Sequence, residues 1–175
     1  MSKNFLKRNY AGFTIIEMLV AILIFSVSLL SLLVVAGRGL QANRDSDNLV
    51  RANFLALEAI EIVRNSRDNY FLTTSGSDWG ADIAGCPIAD SGTASTKCQI
   101  NLSGGDSLSV CSDCTVKISA DNMYGSVGEN TQFRREISLQ KVSDNELFVN
   151  VDVIWQRRDG SDRTFNLQEN LRLWR

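Results

Sequence analysis

The stretch from Gly12 to Glu17 reads GFTIIE and stands between a short basic leader and a strongly apolar run. From Met18 to Gly37 the chain has no ionisable side chain. A run of about 20 such residues is enough for one helical crossing of a bilayer core about 30 Å thick. Glu17 lies at the start of this run, where an acid is costly in hydrocarbon unless a cation pairs with it. The pattern therefore predicts a membrane-spanning helix in which Glu17 has a functional role.

These features resemble the processing site of the type IV prepilins and pseudopilins. The resemblance rests on the basic pair Lys7-Arg8, on Gly12, Phe13 and Glu17, and on the apolar run that follows. It implies that a membrane-embedded prepilin peptidase cleaves after Gly12, that the new amino group is N-methylated at Phe13, and that the helix packs in a filament core. Cleavage would leave a cationic amine one helical turn from Glu17, which can pair with it in the same chain or in a neighbouring subunit.

Two other interpretations of the amino terminus stay open. An ordinary secretory signal would be cut before Gly37, although the apolar core of such a signal usually spans about 7 to 15 residues. A plain membrane anchor would keep its start intact and carry Glu17 incidentally. The three interpretations differ in the first residue of the mature chain, which is Phe13, Gly37 or the intact start.

Charge and composition limit the classes of function. The chain has 175 residues with 18 basic and 20 acidic side chains, which suits one domain plus a membrane segment. Removal of residues 1–12 leaves 15 basic side chains against 20 acidic ones, so no basic surface for direct nucleic-acid binding is expected. The sequence has no histidine and no phosphate-binding glycine motif. It therefore predicts no enzyme, no cofactor and no metal site.

Basic residues that precede the first span favour a cytoplasmic amino terminus and an exported remainder. The four cysteines, Cys86, Cys98, Cys111 and Cys114, would then meet an oxidising compartment, where two disulfides with three possible pairings are expected. Pairing Cys86 with Cys98 and Cys111 with Cys114 is favoured because each bond closes a local loop. A four-thiolate zinc site is the alternative, but only one close pair is present and exported thiolates oxidise.

The helix is expected to continue from Gly37 to about Asp68, although a flexible joint followed by a separate helix is an alternative. Apolar residues recur in this part at helical spacing: Leu49, Ala52, Ala56, Ala59, Ile60 and Val63. An amphipathic helix of this kind has to lie against a folded body. Its charged residues Glu58, Glu61 and Arg64 are expected to face solvent.

The last 45 residues predict a three-stranded antiparallel meander, because apolar and polar residues alternate in three runs. The apolar positions are Phe133, Ile137 and Leu139, then Val149, Val151, Val153 and Trp155, then Phe165, Leu167, Leu171 and Leu173. Turns are expected at 143–145 and at Asp159-Gly160. The apolar face of this sheet needs a cover, which the helical stripe can supply. The predicted fold is therefore α+β, a long amino-terminal helix packed on a carboxyl-terminal antiparallel sheet, and the prepilin resemblance implies the same fold.

Five segments follow from this reading. They are a cleaved leader (1–12), a transmembrane and filament-core helix (13–37), its amphipathic continuation (38–68), a variable disulfide-bearing loop region (69–131) and the sheet of the globular head (132–175). Short strands are expected in the loop region at Gln99–Leu102 and Thr115–Ser119. Asp121, Asn122 and Glu129 are expected to belong to an ordinary surface loop and not to a calcium site.

The resemblance implies a minor type IV pilin, a structural subunit that takes part in pilus assembly or modification; residues 57–68 resemble the minor pilins called pilus modification proteins. Its partners would be prepilin peptidase, other major and minor pilins, and the inner-membrane assembly platform. The chain would wait in the inner membrane with its head in the periplasm and then enter the pilus at the cell surface. A pseudopilin of a type II secretion system and an anchored extracytoplasmic binding protein that never assembles are the alternatives.

The cleavage site can be tested by changing Gly12→Leu, which should block processing because the peptidase would have to accept a bulky residue before the scissile bond. Immunoblots should then show an unprocessed chain, while Gly39→Leu, a matched change within the helix, should be processed normally. A product of mature size from Gly12→Leu would contradict the predicted site.

Overall fold

The computed structural model of the protein describes residue 12 and residues 14–73, 82–101 and 107–172. Within them the chain forms one helix, α1 (Ile15–Thr73), followed by nine strands. The strands are β1 (Asp82–Ile83), β2 (Cys86–Ala89), β3 (Cys98–Asn101), β4 (Ser107–Val110), β5 (Thr115–Ile118), β6 (Tyr124–Gly125), β7 (Glu129–Ser143), β8 (Glu146–Gln156) and β9 (Asp162–Arg172). The predicted α+β class is confirmed. The chain divides between Arg44 and Asp45 into two compact units.

Helix α1 is continuous over 59 residues, so the flexible joint considered at residues 37–39 is not formed. The sequence predicted that the helix ends near Asp68, but it ends at Thr73. The extra turn is retained because Phe71 packs against the core and the Thr73 hydroxyl donates a 2.8 Å hydrogen bond to the carbonyl of Asn69.

The predicted meander is formed by β7, β8 and β9, which pair antiparallel in this order. Strand β7 begins at Glu129, earlier than expected, because β5 pairs with its first residues. The first turn lies at 144–145 as predicted. The second connection is a loop over 157–161 in which the Asp159 carboxylate accepts hydrogen bonds from the N–H and hydroxyl of Ser161. These bonds lower the pKa of Asp159.

Three short strands share the other edge of β7. Strand β5 pairs near its start, β3 pairs at Ile137, and β2 runs parallel to it at Leu139 and Gln140. The predicted short strands correspond to β3 and β5, whereas β1, β2, β4 and β6 were not predicted. The region between the helix and the meander is therefore more regular than its composition indicates.

Two disulfides stabilise this region. Cys86 and Cys98 join β2 to β3 and are fully buried, with their Cα atoms 5.9 Å apart. Cys111 and Cys114 close a short loop between β4 and β5. The carbonyl of Cys114 accepts a 3.0 Å hydrogen bond from the N–H of Arg135, so this loop is tied to β7. Because all four sulfurs are bonded, none remains as a thiolate for the zinc site considered above.

The core lies between the second half of α1 and the inner face of the sheet. Helix α1 contributes Ala52, Leu55, Ala56, Ala59, Ile60, Ile62 and Val63, and the meander contributes Phe133, Ile137, Leu139, Leu147, Val149, Val151, Val153, Trp155 and Leu171. The predicted stripe was wrong at Leu49, which is 39% exposed. Leu173 lies outside the described residues.

Charged side chains also join the helix to the sheet, so the prediction that Glu58 and Arg64 only face solvent was wrong. Arg135 occupies an inward position of β7 and is 2% exposed. Its Nη1 donates to Glu58 Oε2 at 2.6 Å and to the carbonyl of Leu55 at 3.1 Å. Burial lowers the pKa of the Arg135 guanidinium, and the nearby Glu58 carboxylate acts in the opposite direction. Arg64 binds both carboxylate oxygens of Glu169 on β9, at 2.6 and 2.7 Å.

We expect Glu58→Ala to destabilise the protein by about 2 kcal/mol, because it leaves the buried guanidinium of Arg135 without the half-exposed carboxylate that compensates its charge. Urea unfolding of the full chain in detergent measures this change. The matched variant Glu61→Ala removes an exposed contact to Arg64 and should cost less than about 1 kcal/mol. Equal effects of the two variants would contradict the role assigned to the Glu58–Arg135 pair.

Removal of the disulfides should have unequal effects. In the chain-entropy description, loss of the Cys86–Cys98 bond through Cys86→Ala with Cys98→Ala costs about 3 kcal/mol. The Cys111–Cys114 bond closes a shorter loop, so Cys111→Ala with Cys114→Ala costs about 2 kcal/mol. The same unfolding measurement compares the two double variants. A larger loss for the second pair would contradict the chain-entropy description.

Candidate functional site

The candidate site is the amino-terminal end of α1. Gly12 is exposed, and a Cβ atom placed there would meet nothing within 4 Å. Phe13, the predicted first residue of the mature chain, lies outside the described residues. Helix α1 begins two residues later, at Ile15.

Thr14 caps the helix. The N–H of Glu17 donates to Thr14 Oγ1 at 3.3 Å and to the Thr14 carbonyl at 3.1 Å, and the N–H of Met18 donates to the same carbonyl at 3.2 Å. Thr14 and Glu17 have the spacing of a capping box, in which a side-chain oxygen satisfies a free N–H of the first turn. The capping-box motif is present in the sequence, although this cap was not among the predicted features. An acid in the first turn is also stabilised by the positive end of the helix dipole.

The helix that follows is apolar on all sides. Its most apolar 18-residue window has a mean hydropathy of 2.9 and no buried residue, so α1 is long and apolar enough to cross a membrane. Every large apolar side chain from Ile15 to Val35 is at least 46% exposed. The described chain therefore supplies no cover for this surface.

The serines of this segment satisfy their hydroxyl groups within the helix. Ser26 and Ser28 donate to the carbonyls four residues earlier, both at 2.8 Å, and Ser31 donates to the carbonyl of Ser28 at 2.8 Å. Hydroxyls bonded in this way do not need water, so they are compatible with an apolar surrounding. Glu17 differs, because it has no ion-pair partner among the described residues.

The arrangement suits assembly: it is an apolar surface that no other part of the described chain covers, and it carries one carboxylate at its amino-terminal end. Such a surface can exchange lipid contacts for contacts with similar helices, and the carboxylate can bind a cation in that apolar surrounding. Residues 7–33 match the family model described as the prokaryotic N-terminal methylation motif. This motif supports a type IV prepilin or pseudopilin. The comparisons with curated proteins and with solved structures gave no match.

The prepilin motif supports a subunit of the type IV pilin and pseudopilin type, a family whose members are structural. It implies processing by prepilin peptidase and membrane association with other pilins, and the single apolar helix fits anchoring by one membrane pass. Among the other predicted positions, Asp121 and Asn122 lie in the turn between β5 and β6, and Glu129 begins β7. Within the described ranges no three His, Cys, Asp or Glu side chains are close enough to share a metal ion.

Proposed function

We propose that this chain is a minor type IV pilin, a structural subunit without enzymatic activity that is cleaved after Gly12, N-methylated at Phe13 and incorporated into a pilus. The observation that carries this proposal is the apolar surface of residues 15–35, which has no cover in the described chain and follows a prepilin motif. A pilus supplies the missing cover, because the same segments of neighbouring subunits pack together.

The mechanism follows from the charges. Cleavage by prepilin peptidase creates a cationic amine at Phe13, close to the only carboxylate of the segment. In the membrane this carboxylate sits near the headgroups, but in a filament core it is surrounded by apolar helices and needs a cation. Glu17 would therefore fix the axial position of each subunit by binding a Phe13 amine, either its own or that of a neighbour.

The head suits an exported subunit, whether of a pilus or of a secretion pseudopilus. The region between α1 and the meander contains two disulfides and several short strands. Disulfides of this kind stabilise a domain that works in an oxidising space. In the proposal the head stands in the periplasm before assembly, where the inner-membrane assembly platform and the other pilins are the partners, and reaches the cell surface with the pilus.

The proposal can be tested with Glu17→Gln, which removes the charge but keeps a residue that a capping box accepts. We expect normal cleavage and at least a tenfold loss of the chain from sheared filaments, measured by immunoblot against the membrane fraction. Thr14→Ala is the matched control, since it removes the cap and keeps the acid, and it should be incorporated nearly as well as wild type.

Two results would contradict the proposal. Normal incorporation of Glu17→Gln would show that assembly does not need the charge of Glu17. Wild-type chain that is processed but never co-purifies with filaments would favour an anchored protein that does not assemble.

A further inference from the structure

Strand β9 forms a long, regular edge of the sheet. It pairs only with β8 in the described part of the chain. The pairing runs from Glu146 and Arg172 to Gln156 and Asp162 with no bulge, and β9 contains no proline. Bulges and prolines are common devices that keep an edge strand from pairing with another chain. Neither protects β9.

The hydrogen-bond pattern shows which groups point outward. The N–H of Arg157 donates to the carbonyl of Ser161 at 2.8 Å, just before the strands begin. Bonded and non-bonded residue pairs alternate along an antiparallel ladder, so the odd-numbered residues of β9 bond to β8. The even-numbered residues between Thr164 and Asn170 consequently turn their N–H and C=O groups toward the free edge.

A groove of about 580 Å³ lies between β9 and α1. Its apolar lining consists of Phe54, Leu57 and Ile60 from the helix and Leu167 from β9. Phe54 is 65% exposed and Leu57 is 47% exposed, although both belong to the part of α1 that packs on the sheet. The groove is thus an apolar surface next to a strand edge that no other described strand pairs with.

The rim of the groove has an excess of negative charge. Glu58 is neutralised by Arg135. Arg64 contacts two carboxylates, Glu61 at 3.2 Å and Glu169 at 2.6 Å, so one guanidinium serves two acids. The contact to Glu169 is the main cause that raises the pKa of Arg64, and Glu61 remains largely exposed.

We propose that the β9 edge and this groove form one docking site for an extended strand of a neighbouring subunit. A strand added to β9 would bond with its main chain to the edge groups, while alternate side chains point toward α1 and enter the groove. The occupant therefore has apolar residues at alternate positions and a Lys or Arg that reaches Glu61. The identity of the partner as another subunit rests on the proposed function, whereas the chemistry of the strand rests on the edge, the groove and the charge.

The probe for this site is a fluorescein-labelled nine-residue peptide in which valine alternates with threonine and lysine replaces one terminal valine. Fluorescence anisotropy measures its binding to the full chain in detergent. We expect saturable binding, and several-fold weaker binding when glutamate replaces the lysine of the peptide. Gln168→Pro should weaken binding at least tenfold, because it removes an N–H that faces the edge and no N–H that bonds to β8.

Gln168→Thr is the matched control, since it changes the same side chain and keeps the N–H, and it should bind as wild type does. Leu57→Asp changes an exposed groove residue and should also weaken binding tenfold without loss of folding. Glu17→Gln should bind the peptide normally, so failure of this site and failure of assembly are distinguishable.

Absence of saturable binding to wild type, or equal binding by Gln168→Pro and Gln168→Thr, would overturn the proposal. A wild-type chain that does not bind the peptide but dimerises, and that becomes monomeric in Gln168→Pro, would show that the edge pairs with the same edge of a second copy. This result would overturn the proposal as well.

Discussion

The structure depends on one constraint: the first half of α1 is apolar all round and has no protein cover within the described chain. Each large side chain withdrawn from water contributes about 1.5 to 3 kcal/mol, so exposure of the whole segment to water would cost tens of kcal/mol. Lipid or neighbouring helices must therefore surround it. Since lipid and helices are equally apolar, hydrophobicity alone does not choose between them. In the proposed function Glu17 distinguishes the two surroundings, because pairing with a cation makes an acid acceptable among apolar helices.

The second half of the same helix, in contrast, is covered by the sheet of the same chain. Small residues, Ala52, Ala56 and Ala59, let the helix approach the sheet closely, and apolar side chains of β7 and β8 complete the core. Buried Arg135 then fixes the position of the helix by its bonds to Glu58 and to the carbonyl of Leu55. The head is thus built on a helix whose amino-terminal half is reserved for another environment, as expected of a subunit that is anchored first and assembled later.

Features that depend on residues close together in the chain could be predicted from the sequence. The uncharged run, the helical stripe and the alternation in the meander predicted α1 and the order of β7, β8 and β9. Contacts between residues far apart in the chain could not be predicted from the sequence. Arg135 interrupts an apolar row, and only the fold places Glu58 opposite it. Strand β2, four residues long, is stabilised by pairing with β7 more than by its own composition. At the candidate site, the roles of Gly12 and Glu17 stay predictions from the motif, and the cap at Thr14 was not among the predicted features.

The central claim is that processing places a positive amine beside the single acid of an apolar helix. The intact mass of the native chain, with fragmentation of its amino-terminal peptide, tests this claim most directly. The account predicts a mature chain that begins with N-methylated Phe13. A chain that begins at Met1 or at Gly37 would contradict the claim, and an unmodified Phe13 would contradict the proposed N-methylation.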